Sequence, residues 1–335
     1  MPVNSYGDLA RAYALRNQST LLKTEIEKLN LELSSGQTAD IADHLGGSYS
    51  RLTSIERDMR VLEGFDVSIS EAEQYADLAQ AQLEQISDVS ATFARSVIAG
   101  DSSNSVSSTE ALANEARVQF STVVSLLNSE AAGRSLFAGD MTDQNPLVSA
   151  SDILTEIEAV VAGATSATDV ETALDTWFAD PLGFDAFAYT GSDTALAPFQ
   201  MSESAEVSVD IRANDDVFKN TLKSLAMAAM ATSSGVTLSG TDKSALFRAS
   251  GENLLTAETN IVSRQASVGL LQEQVAGWKV RNQTEMSGLE YAKSALLSID
   301  PYEAATELEA AQFQLESLYT VTVRLSQLSL VNFLR

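Results

Sequence analysis

Residues 15–36, LRNQSTLLKTEIEKLNLELSSG, place Leu15, Leu22, Ile26, Leu29 and Leu33 at steps of three, four and seven. That is the spacing of an apolar seam along an α-helix. At the other end of the chain residues 308–325, LEAAQFQLESLYTVTVRL, repeat the pattern with Leu308, Ala311, Leu315, Leu318, Thr322 and Leu325. A seam of this length cannot be left in water, so each end needs a partner helix, and the nearest candidate is the other end. The expected fold is mainly α: a long antiparallel coiled-coil rod formed by the N- and C-terminal segments, carrying a small α+β insertion domain.

The closing stretch has more apolar surface than one partner can cover. Leu318, Leu325, Leu328, Leu330, Phe333 and Leu334 lie on most sides of the last helix, and a helix that is apolar all round is buried all round. Other copies are expected to supply that burial. The expected assembly interface is therefore Leu15, Leu22, Ile26, Leu29 and Leu33 with Leu315, Leu318, Leu325, Leu328, Leu330, Phe333 and Leu334, and Phe313 and Tyr319 are further interface candidates.

Proline divides the chain. Pro146, Pro181 and Pro198 lie in the middle, whereas residues 3–145 and 199–300 have none and are free to form long helices. Helices are expected over about 5–33, 47–63, 68–100, 108–127, 151–161, 168–178, 216–232 and 244–298, with stops at Gly36, Gly64 and Gly100 and a break near Gly251. Asp300-Pro301, with Glu303 at N3, starts the final helix. Residues 186–190 and 207–211 read as strands, the second because Val207, Val209 and Ile211 alternate with polar residues. Three domains are expected: a terminal coiled-coil assembly domain (1–40 with 301–335), a helical-bundle rod (41–137 with 218–300) and an acidic α+β outer insertion (138–217).

The chain has 335 residues, 44% of them hydrophobic, and a formal charge of −25. Such acidity argues against nonspecific nucleic-acid binding, which needs a basic patch. No apolar run approaches the ~20 residues that span a bilayer, so membrane insertion is not expected. Between residues 138 and 217 Arg212 is the only base against 16 acids, which reads as a solvated surface. Cysteine is absent, so no disulfide or thiolate metal site is available. The first residues lack a basic and then apolar leader, and no cleaved secretory signal is expected.

Chemistry-bearing patterns are sparse. His44 is the sole histidine, which disfavours a histidine metal cluster or a Ser-His-Asp site. The neighbouring acids Glu156 and Glu158, or Asp215 and Asp216, read as solvated carboxylates rather than an acid/base pair. Phosphate-loop, nucleophile-elbow and EF-hand patterns are absent. No cofactor and no enzymatic activity are expected.

The stretch 325–335, LSQLSLVNFLR, resembles the closing signature of the flagellar axial proteins, the family of flagellin and the hook-associated proteins. Residues 26–36, with Leu33-Ser34-Ser35-Gly36, are similar to that family's first helix and turn. Ala132-Gly133-Arg134-Ser135-Leu136-Phe137-Ala138-Gly139-Asp140, followed by Asn145-Pro146-Leu147, looks like the phenylalanine-x-glycine junction of hook-associated members, and residues 189–193 resemble the strand-turn after it. The resemblance implies a structural subunit between hook and filament, extracellular, exported without a cleaved signal through the flagellar type III channel. It also implies self-association in a helical array, a neighbouring hook-associated protein and flagellin as partners, and an export chaperone. A flagellin and a cytosolic coiled-coil adaptor or chaperone stay open beside it.

Overall fold

The computed structural model describes the backbone of residues 4–100 and 106–333 and the side chains of residues 10–99 and 107–325. The elements run α1 (Asn4–Ser35), α2 (Ile41–His44), α3 (Ser50–Gly100), α4 (Val106–Leu127), β1 (Glu130–Ala131), β2 (Arg134–Ser135), α5 (Ala150–Val160), α6 (Ala167–Ala179), α7 (Phe184–Phe187), β3 (Phe199–Gln200), β4 (Glu206–Val207), α8 (Asp216–Met230), α9 (Gly240–Leu297) and α10 (Pro301–Phe333). The fold is mainly α, as the sequence led us to expect. Two compact units are formed, residues 1–62 with 283–335, and residues 63–282.

In the first unit α1 packs against α10. Lys23 lies by Tyr319, while Leu29 is buried with Ala304 and Ala311, so the two helices run antiparallel. The connection into this pair is built from backbone bonds: Thr38 N–H donates to the Leu297 carbonyl at 2.9 Å and Ile299 N–H to that of Gly36 at 3.2 Å. Gly36 ends α1 at φ +70°, the left-handed conformation glycine adopts most readily. Glu32 is a buried carboxylate that accepts from Ala39 N–H at 2.9 Å and from the Thr38 hydroxyl at 3.3 Å. It thereby fixes the loop after α1. Asp300 caps α10 by accepting from Tyr302 N–H at 2.8 Å.

The second unit has one apolar core. Ile69, Ala76, Leu83 and Phe93 of α3 share it with Phe120 of α4 and Leu254, Ile261 and Val268 of α9. Within this unit α3 and α9 are antiparallel: Glu73 pairs with Lys279 at 2.5 Å and Asp77 accepts from Gln272 at 2.7 Å. Helix α8 packs on α4 and is buried on nearly every side, which explains its Ala- and Met-rich sequence. Ser166 and Asp169 form a reciprocal capping box at the start of α6.

Four local expectations are corrected. The helix expected to stop at Gly64 instead continues unbroken from Ser50 to Gly100, because a single glycine costs a helix only about 1 kcal/mol and no proline accompanies it. Gly251 likewise does not interrupt α9. A side-chain carbon there would lie 3.0 Å from Ile98 Cγ1, so the glycine serves the close approach of α3. Residues 186–190 are not a strand. Phe184–Phe187 form one helical turn, drawn in by an aromatic cluster in which Trp177 meets Phe184 edge-on at 5.9 Å, and Tyr189 makes only a single bridge to Leu147. Of residues 207–211, Val207, Val209 and Ile211 are buried in alternation, but only Glu206–Val207 enters a ladder, with Phe199–Gln200.

Residues 137–140 are clamped. Ser192 N–H donates to the Ala138 carbonyl at 2.9 Å, Asp140 N–H to that of Thr194 at 3.0 Å, and Ala213 N–H to that of Phe137 at 2.9 Å. Phe137 is fully buried and meets Phe218 edge-on at 5.7 Å.

Candidate assembly interface

The α1/α10 pair carries the residues expected at the interface. Leu29 is 2% exposed, and Leu15, Leu22, Ile26 and Leu33 are half-buried. On α10 Leu318 is buried, Leu315 is half-buried and Leu325 is 38% exposed. The backbone of Leu328, Leu330 and Phe333 is helical, but their side chains, and all of Leu334, lie outside the described residues. The seam leucines are thus brought together within one chain. The surface that stays apolar and open includes the further candidates Phe313 and Tyr319, together with Tyr13, Leu21 and Leu31 on α1 and Tyr302, Val321 and Val323 on α10.

Towards residues 11–23 the two helices leave a cleft of about 630 Å³. Its apolar floor is Ala12, Leu15, Leu318 and Leu325, and its polar side is Arg11, Arg16, Ser19, Thr20, Lys23 and Tyr319. The Lys23 ammonium sits 6.0 Å from the Tyr319 ring centroid. Hydrogen bonding to Ser19, then to Lys23, holds the Tyr319 phenol below its ordinary pKa. The heptad spacing singles out the leucines; it does not single out this basic row. The signal for it was present, since Arg16 and Lys23 are seven residues apart and therefore share a helix face.

Among the described residues no group of three or more His, Cys, Asp or Glu could hold a metal. None of the described helices is long and apolar enough to cross a membrane. His44 Nε2 lies 3.2 Å from the Leu296 carbonyl. Glu56 pairs with Lys293 at 2.8 Å, and that contact lowers the carboxyl pKa.

Residues 252–334 match the family described as the bacterial flagellin C-terminal helical region. No curated protein sequence matches the chain. Among solved structures, a Vibrio parahaemolyticus protein described as a flagellar hook-associated protein aligns at 12% identity, covering 73% of this chain and 95% of that one with a TM-score of 0.52. Bacillus cereus FlgL aligns at 13% identity, covering 72% of this chain and all of that one with a TM-score of 0.53. The flagellin match thus spans the greater part of α9 and all of α10, the helix that pairs with α1. The fold of the chain is shared with the Vibrio hook-associated protein and with FlgL.

Proposed function

We propose that this chain is a structural subunit of the bacterial flagellum that joins hook to filament. The observation that carries the reading is the pairing of α1 with a flagellin-type C-terminal helix in a hairpin that leaves an apolar cleft and outward aromatics unfilled. Such a hairpin is marginal alone and gains stability when bundled with further helices. On this reading copies self-associate in a helical array, with a neighbouring hook-associated protein on one side and flagellin on the other. The chain reaches the cell exterior through the flagellar export channel, met by an export chaperone and without cleavage of a leader. The terminal coiled-coil domain (1–40 with 301–335) makes the contacts, the bundle (41–137 with 218–300) supports it, and the acidic insertion (138–217) faces outward.

Deletion of the coding sequence tests this reading. Cells should make hooks yet shed flagellin into the medium, and filaments attached in normal number would contradict it. Complementation with Leu325→Asp should fail although the protein folds, because this leucine lines the cleft and a carboxylate buried there on assembly would be unpaired.

A further inference from the structure

Two features of the α1/α10 unit match each other yet cannot meet within one chain. The first is the cleft, in which Arg16 and Lys23 flank Ser19 and Thr20 above the floor of Leu15 and Leu318. The second lies on the far side of α10. Phe313 is 71% exposed, and the exposed acids Glu309 and Glu316 stand four residues before and three after it, so the three share one face. That face is turned away from Leu308, Ala311 and Leu318, the residues α10 presents to α1. Arg16 and Lys23 are seven residues apart, as are Glu309 and Glu316; at 1.5 Å per residue each pair spans about 10.5 Å. Neither acid has an ion-pair partner among the contacts of the described residues, and neither has Arg16.

We propose that Phe313 of one copy seats in the α1/α10 cleft of a second copy, with Glu309 and Glu316 set against Arg16 and Lys23. The occupant is thus a second copy of this chain, favoured over an unrelated helix by the equal spacing of opposite charges around a single aromatic knob. The knob supplies apolar burial, while the charges set register and exclude misaligned partners. Knob and cleft lie on different faces, so a copy that has used one still offers the other, and the contact propagates rather than closing a dimer. This assignment rests on the assembly role proposed above and names the contact through which it works.

The absence of cysteine allows a direct test on the full chain. Thr20→Cys and Ser317→Cys place single thiols beside the cleft and beside the knob, and the two purified variants are mixed and treated with a short bismaleimide. The mixed dimer should form in clear excess over either homodimer. It should be lost when the Ser317→Cys chain also carries Glu309→Lys and Glu316→Lys, and regained when the Thr20→Cys chain then carries Arg16→Glu and Lys23→Glu. No excess of mixed dimer, or an excess that charge reversal leaves unchanged, overturns the proposal. A charge-dependent mixed dimer from a chain whose deletion leaves filaments attached would uphold the contact and overturn the flagellar role. Shed filaments without the mixed dimer would uphold the role and overturn the contact.

Discussion

Gly139 lies so close to Ser192 that a methyl group on its Cα would collide with the Ser192 carbonyl oxygen, and with that of Thr194 beside it. Its φ of +65° adds a backbone conformation that other residues rarely adopt. Gly139→Ala should therefore destabilise the 63–282 unit by roughly 3 kcal/mol, combining left-handed strain with the displaced clamp. Thermal unfolding of the variant checks this, with Gly277→Ala as a control, since a side chain at Gly277 meets nothing within 4 Å.

The β1–β2 hairpin closes through Ala132 and Gly133, with φ of +51° and +77°, around the Ala131↔Arg134 pair. Two positive φ values in a two-residue loop define the turn that prefers Asn-Gly. Ala132→Asn should stabilise the protein by about 1 kcal/mol, read as a higher denaturation midpoint at unchanged slope.

Acid should weaken the 63–282 unit through its helix starts. Asp169 is held below the ordinary carboxylate pKa by the Thr165 amide and then by the Ser166 and Thr165 hydroxyls, and Asp242 by the Ser239 hydroxyl and then the Ala167 amide. A lowered folded pKa means that the unfolded chain holds the proton more tightly. The stabilisation is complete above the ordinary carboxylate pKa of about 3.9 and is lost as pH falls through the folded values. Asp215 works in the opposite sense: burial raises its pKa despite Arg264, so its contribution is greatest at low pH and declines as pH rises through the folded value. Asp169→Asn should flatten the acid limb of stability against pH, and Ser166→Ala should cost about 1 kcal/mol at neutral pH.

The α1/α10 pair should be the first part to yield to protease. Among the described residues its buried cluster is Leu29, Ala304 and Ala311, against a core in the other unit that includes Phe93, Phe120, Phe137, Phe184 and Phe218. A helix pair with so little buried surface opens readily. Limited trypsin digestion followed by mass spectrometry should show cuts at Arg11, Arg16 and Lys23 before any at Arg264.

Much of this architecture is legible in the sequence because long helices announce themselves. Leu22, Ile26, Leu29 and Leu33 repeat often enough for the period to dominate local noise, and Asp300-Pro301 marks a helix start by its own chemistry. The short elements were harder to read. Residues 186–190 read locally as a strand, and the Trp177 and Phe178 rings, brought from α6 onto Phe184, accompany the helical turn found there instead. Gly251 looks like a breaker until Ile98, far away in sequence, is seen against it. The candidate interface divides in the same way. The leucines of the α1/α10 seam within one chain are legible in their spacing, but which face Arg16, Lys23, Glu309 and Glu316 occupy depends on how α1 meets α10, a tertiary fact.

A subunit that joins hook to filament must sit at one place on the flagellum. The most direct measurement is immunogold labelling of isolated flagella with antibody against the acidic 138–217 insertion, viewed by electron microscopy. A junction subunit gives a single compact band of label where the filament meets the hook. Label distributed along the filament would make the chain a flagellin, and flagella without label would rule out the junction role.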